Sequence, residues 1–176
     1  MTPKKTYDVA VIGSGPAGEK AALEAASLKV RVVVIEKGYN PGGASVITGT
    51  IPSKSLRETV QDLNAIKQSE LSGLDATYNK KITINELMHR KKAVVSNRVK
   101  YIFQKYHENK IDYLYGEGIF KDCNTLKIIT NDGSTIEIRA KKFIIAVGTR
   151  PYHPPNVDFD GKHILDSDSI LSLDYI

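Results

Sequence analysis

Six residues constrain what this chain can fold into: Gly13-Ser14-Gly15-Pro16-Ala17-Gly18. They directly follow Tyr7 to Ile12, a short apolar run that reads as a buried strand. They directly open Ala17 to Leu28, which reads as a helix with Ala21, Ala22, Ala25 and Leu28 on one side. Small residues there let a helix lie close against a sheet. Val30 to Ile35 is a second, nearly continuous apolar strand, of the kind that parallel sheets cover on both faces. Strand, helix and strand make a βαβ unit, whose crossover is right-handed.

The glycines have separate tasks. Gly13 permits the tight turn, Gly15 lets a pyrophosphate approach the backbone, and Gly18 lets the helix pack on the strand. The helix N-terminus adds N–H groups and the positive end of its dipole. Glu36 ends the second strand, 18 residues after Gly18, and its carboxylate suits the hydroxyls of a ribose. It repels a 2′-phosphate, which argues against NADP at this particular site.

The rest of the chain extends an α/β pattern. Gly38 to Gly49 reads as a loop, and Pro52 stands where a helix over Ser53 to Lys67 begins. Asp75 to Lys81 is polar and reads as irregular. Ile84 to Asn109 reads as a long helix, with Val95, Val99, Ile102 and Tyr106 in one apolar stripe and Arg90, Lys91, Lys92, Arg98 and Lys105 opposite. Ile111 to Tyr115 reads as a third buried strand ending at Gly116-Glu117-Gly118. Thr125 to Thr130 and Ser134 to Ala140 flank Asn131-Asp132-Gly133, a hairpin signal. Lys142 to Ala146 reads as a further strand, ending in Val147-Gly148-Thr149. Pro151, Pro154 and Pro155 mark a domain edge or linker, and Asp166 to Leu173 reads as a helix start capped by Asp166 or Ser167.

Composition excludes several functions. The net charge of +5 is spread along the chain, so nucleic-acid binding is not indicated. No stretch is long enough to span a bilayer, and Val9 to Ile12 is too short for a signal peptide, which makes a cytoplasmic protein the default. Cys123 is the single cysteine, so the chain can form neither an internal disulfide nor a cysteine-rich metal site. His89, His107, His153 and His163 lack metal-ligand spacing, no metal is expected, and His153 reads as structural.

A longer segment points to a family. Gly42-Gly43-Ala44-Ser45-Val46-Ile47-Thr48-Gly49-Thr50-Ile51-Pro52-Ser53-Lys54 resembles the redox-active segment of the dihydrolipoamide dehydrogenase and glutathione reductase flavoproteins. The two cysteines of that family correspond to Ser45 and Thr50, and a hydroxyl pair cannot store two electrons as a disulfide. Thr50-Ile51-Pro52-Ser53-Lys54 is similar to the soluble pyridine nucleotide transhydrogenase branch, where threonine takes the place of the second cysteine. That branch often keeps the first cysteine, and Ser45 departs from it. Thr149-Arg150-Pro151-Tyr152-His153-Pro154 and Asp166-Ser167-Asp168-Ser169-Ile170-Leu171-Ser172-Leu173 resemble its continuation.

The resemblance implies a Rossmann-like FAD-binding domain over residues 1–150, with a central parallel sheet, helices on its faces and a β-hairpin or meander insertion. Residues 151–176 would lead toward an NAD(P)-binding domain that this chain does not contain. FAD would be held by Gly13, Ser14, Gly15, Pro16, Ala17, Gly18, Glu36 and Lys37. Gly42, Gly43, Ala44, Ser45, Thr50 and Lys54 would follow, then Gly118, Ala146, Gly148 and Thr149. Lys54 corresponds to a catalytic lysine beside the flavin N5, and Val147 departs from the family's usual threonine. The implied parent is a homodimer or higher homo-oligomer that moves hydride between NADPH and NAD+, with NAD and NADP as substrates, and this portion alone would be inactive. Two alternatives stand: a non-catalytic FAD- or nucleotide-binding module, and a dihydrolipoamide dehydrogenase-like enzyme or NADH oxidase lacking redox cysteines.

Overall fold

In the computed structural model the described residues are 5–71 and 83–173, with residues 69–71 described through their backbone alone. The polar stretch Asp75 to Lys81 lies outside them, as do Met1 to Lys4. The elements run β1 (Lys5–Ile12), α1 (Pro16–Ser27), β2 (Val32–Glu36), α2 (Gly43–Ile47), α3 (Thr50–Leu71) and α4 (Ile84–Glu108). Then come β3 (Asp112–Tyr115), β4 (Glu117–Asp122), β5 (Thr125–Ile129), β6 (Thr135–Ile145) and a 3-10 turn at Ser169–Ser172. The chain divides into two compact units, residues 1–46 with 98–149, and residues 47–97 with 150–176.

The first unit is built on a six-stranded sheet in the order β3-β2-β1-β6-β5-β4. From β3 to β6 the strands are parallel, with Val11 opposite Val34 and Ile144. From β6 to β4 they are antiparallel. Strand β2 carries the apolar run of a strand covered on both faces, whereas β3, expected as a buried strand, lies at the sheet edge with Asp112 and Tyr115 exposed, and Ile144 and Ile145 of β6 are also exposed. Ala10, Val11, Val33 and Val34 are fully buried, as are Leu126, Ile128 and Ile138 on the antiparallel side. Each buried branched side chain of this size stabilises the fold by about 1.5–3 kcal/mol.

Two expected strands are one. The hairpin arm Ser134 to Ala140 and the apolar strand Lys142 to Ala146 form the single 11-residue strand β6. Its first half pairs with β5, and its second half enters the centre of the sheet beside β1. The meander is therefore an extension of the parallel sheet by a shared strand. Two further elements were not expected: β4, and the short helix α2 inside the loop read over Gly38 to Gly49.

The second unit holds α3, the beginning of α4 and the segment after Arg150. Helix α4 opens with a capping box, Thr83 Oγ1 accepting from the Glu86 amide at 3.4 Å and Glu86 accepting from the Thr83 amide at 2.9 Å. Arg90, opposite the apolar stripe, pairs with Asp62 of α3 at 2.6 Å, and Lys91 donates to the Leu171 carbonyl. Asp166 accepts from the Ser169 amide at 2.7 Å, so the expected cap side chain serves a 3-10 turn. His153 bonds Asp166 at 2.8 Å and stacks on Phe159 at 4.0 Å, an arrangement that fits a structural role.

Candidate functional site: a cleft at the strand ends

The chain leaves β1 at Gly13, whose φ of +100° is open to glycine and strained for other residues. A Cβ on Gly13 would stand 2.3 Å from the carbonyl oxygen of Ala146, where β6 ends. A Cβ on Gly18 would stand 1.9 Å from the Gly13 carbonyl oxygen. These two glycines are demanded by the protein itself, because strand ends and helix meet there without room for a methyl group.

Gly15 differs. Its φ is −63° and its ψ is −178°, a conformation any residue adopts. A Cβ on Gly15 would meet nothing nearer than Gly43 Cα at 3.8 Å, ordinary contact. Neither backbone strain nor internal packing requires glycine here. Gly15 is also the N-cap of α1, and no side chain caps that helix. Pro16 follows as the first helical residue, where its missing N–H costs nothing.

Beside this turn lies a cleft of about 490 Å³. Five segments of the first unit line it: Ile12 to Pro16, Ile35 to Lys37, Gly43 to Ser45, Gly116 to Gly118, and Ala146 to Thr149. All but Gly43 to Ser45 follow the C-terminal ends of the adjacent strands β1, β2, β3 and β6, where open α/β sheets bind ligands. The volume is in the range of small-molecule sites.

Glu36 organises the floor. One carboxylate oxygen accepts from the Ser14 amide at 2.8 Å and the Ser14 hydroxyl at 2.7 Å, while the other accepts from the Gly38 amide at 2.8 Å. Ser14 is fully buried, and its carbonyl accepts from the Gly42 amide at 2.9 Å. The turn, the end of β2 and the loop before α2 are thus fastened through one serine and one carboxylate. A carboxylate has about four acceptor positions. Glu36 uses three of them for these protein donors and lines the cleft.

Behind the turn, the buried Glu19 in the first turn of α1 meets Arg98 of α4, one guanidinium nitrogen lying 2.9 and 2.8 Å from its two oxygens. Arg98, opposite the apolar stripe of α4, is the partner of a carboxylate only 4% exposed. Nearby Tyr106 and Tyr113 are buried phenols whose titration burial pushes far above the ordinary range.

Of the residues expected at the site, Gly13, Ser14, Gly15, Pro16, Glu36, Lys37, Gly43, Ala44, Ser45, Gly118, Ala146, Gly148 and Thr149 line the cleft. Gly18 and Gly42 are buried beside it, and Ala17 is exposed on α1. Thr50 and Lys54 belong to the second unit, both exposed at the start of α3. The set of residues expected to hold FAD named neither Ile12 nor Ile35, took only Gly118 from Gly116-Glu117-Gly118 and passed over Val147 between Ala146 and Gly148; all of these line the cleft. Their signal was positional: each sits at or just after the end of a strand that reaches the cleft.

Comparison with known proteins agrees with this geometry. Residues 7–175 match the family model described as pyridine nucleotide-disulphide oxidoreductase. The soluble pyridine nucleotide transhydrogenase of Erwinia tasmaniensis is 42% identical over 173 residues, 98% of this chain and 37% of that protein. The protein of the same name from Colwellia psychrerythraea is 38% identical, over 95% of this chain and 36% of its own. The chain therefore spans little more than a third of the length of the curated relatives it matches. Among solved structures, LpdA from Mycobacterium tuberculosis is 27% identical with a TM-score of 0.81, over 95% of this chain and 37% of that one. A mutant of the HOCl-induced flavoprotein disulfide reductase RclA from Escherichia coli, solved as a Cu(II) complex, is 25% identical with a TM-score of 0.77, over 97% of this chain and 35% of that one. No helix among the described residues is long and apolar enough to cross a membrane. The matched family, the Rossmann-like sheet and the glycine turn at its C-terminal edge agree, and the chain belongs to the pyridine nucleotide-disulphide oxidoreductase family.

Proposed function

We propose that this chain is the FAD-binding part of a soluble pyridine nucleotide transhydrogenase. The observation that carries the reading is Gly15, a glycine that its own fold does not require, facing a cleft beside an uncapped helix N-terminus. Glycine there keeps the backbone open to an atom group that is not protein, and the amides of α1 favour an anion. The residues present fit the adenosine half of FAD: the turn Gly13 to Gly18 for the pyrophosphate and the Glu36 carboxylate for a ribose hydroxyl. Gly118, Ala146, Gly148, Thr149, Lys37, Gly43 and Ala44 complete the binding set, with Gly42 buried beside the cleft.

When bound, the flavin would supply hydride acceptance and donation at N5 between NADPH and NAD+. Ser45 and Thr50 contribute hydroxyls where a disulfide reductase needs thiols, so no disulfide relay is part of the reaction. Lys54 is assigned, from the resemblance, as the cation that stabilises negative charge near N5. In this reading residues 1–150 form the FAD domain, residues 151–176 lead toward the nicotinamide nucleotide domain, and the parent is a cytoplasmic homo-oligomer. The isolated 176-residue chain has no transhydrogenase activity.

The test is the visible spectrum of the purified chain, with identification of any flavin released on denaturation. A yellow protein releasing FAD, or a colourless one that takes up added FAD, supports the reading. A chain that binds ADP but no flavin indicates a plain nucleotide module instead.

A further inference from the structure

The opposite edge of the same sheet carries a second concavity of about 950 Å³. It lies where β1, β2 and β3 begin, so it faces away from the nucleotide cleft. Its charged lining is one-sided: Lys5, Lys29, Arg31 and Lys110 against the single carboxylate Asp112. That carboxylate is already engaged, accepting from the Tyr7 hydroxyl at 2.6 Å and standing 3.5 Å from Lys5 Nζ. Burial holds the Tyr7 phenol protonated, so it remains a donor. Among the described residues no carboxylate pairs with Lys29 or Lys110.

The backbone adds a second, independent sign. Lys29 and Lys110, with φ of 58° and 54°, are the only non-glycine residues at positive φ among the described residues. Both line this concavity. Each stands just past a helix C-terminus, where glycine or asparagine is the usual residue. The plain explanation is that each lysine neutralises the negative end of its helix dipole. That accounts for roughly half a charge per helix, about one in all. Of the net three positive charges lining the cavity, about two remain after the helix ends are counted; Asp8, beside Arg31 and accepting from its amide at 2.9 Å, is shared with Lys141 at 2.7 Å. Cations of one sign in a concave wall focus an attractive field on an anion.

We propose that this concavity binds a small multivalent phosphate anion, at a site separate from the nucleotide cleft. The cations come from three neighbouring strand beginnings, which span about 10 Å at the usual strand spacing. That spread suits two or three linked phosphate groups better than one.

The test is calorimetric titration of the full chain with sodium tripolyphosphate at low salt, together with amide chemical-shift mapping. The expected result is anion binding with shifts at Lys5, Lys29 to Val32 and Lys110 to Asp112; any shifts at Gly13 to Gly18 report the nucleotide cleft filling as well and disappear when ADP occupies it. The double variant Lys29→Gly with Lys110→Gly removes two charges and relaxes both backbones, and should weaken binding by at least about tenfold. Lys29→Asn with Lys110→Asn tolerates the same φ and should act alike. A control pair far from the cavity, Lys100→Gln with Lys127→Gln, should change binding by less than about twofold. An equal loss in the control, shifts confined to the glycine turn, or no binding to the parent chain would overturn the proposal.

Discussion

The buried Ser14 gives both its amide and its hydroxyl to one oxygen of Glu36, at 2.8 and 2.7 Å. The same carboxylate thus locks the glycine turn and lines the cleft. Glu36→Ala removes both effects. It leaves the Ser14 donors buried without a partner, a loss of about 1–3 kcal/mol. Thermal melting should show that loss, and titration should show weaker binding of FAD or ADP.

The three glycines of the turn separate by experiment. Gly13→Ala and Gly18→Ala drive a methyl group to 2.3 and 1.9 Å from backbone oxygens and should lower stability by about 1–3 kcal/mol or more. Gly15→Ala has room at 3.8 Å and an ordinary φ, so stability should change by less than about 1 kcal/mol. Dinucleotide affinity should nevertheless fall at least about tenfold, or 1.4 kcal/mol. Urea unfolding and FAD titration of the three variants check the contrast. A Gly15→Ala chain that binds FAD as tightly as its parent would remove the main support for the cleft as a pyrophosphate site.

Arg98→Met strands the Glu19 carboxylate, which has 5% of its side chain exposed. Breaking a dry pair costs about 3–5 kcal/mol. Arg98 keeps 33% of its side chain exposed, so a loss of about 2 kcal/mol is expected. Arg98→Met with Glu19→Leu should recover most of it, as measured by denaturant midpoint, because no unpaired charge is then left in the interior.

Asp132, in the turn between β5 and β6, is held at a pKa of about 2 by the Thr130 hydroxyl and the Ser134 amide. Its folded pKa lies below the unfolded one, so its contribution is complete above pH about 4 and fades as pH falls toward about 2. The stability difference between the parent chain and Asp132→Ala should be constant from pH 7 to 5 and should shrink toward pH 2. Denaturation melts across that range measure it.

What the sequence determined by itself was local. Tyr7 to Glu36 declares strand, glycine turn, helix, strand and acid within one short stretch, each by its own periodicity or turn chemistry. The family segment Gly42 to Lys54 and the hairpin turn Asn131 to Gly133 were legible for the same reason. Tertiary structure decided what depends on partners far along the chain. It joined the runs Ser134 to Ala140 and Lys142 to Ala146 into one strand, because β5 and β1 offer edges to successive halves of it. It turned Arg98 inward, because the carboxylate it neutralises lies 79 residues away. It also distinguished Gly15 from Gly13 and Gly18, whose need for glycine comes from atoms of β6 and of the turn itself. Periodicity and turn chemistry are recorded in neighbouring residues, whereas steric room and charge compensation exist only once distant segments have met.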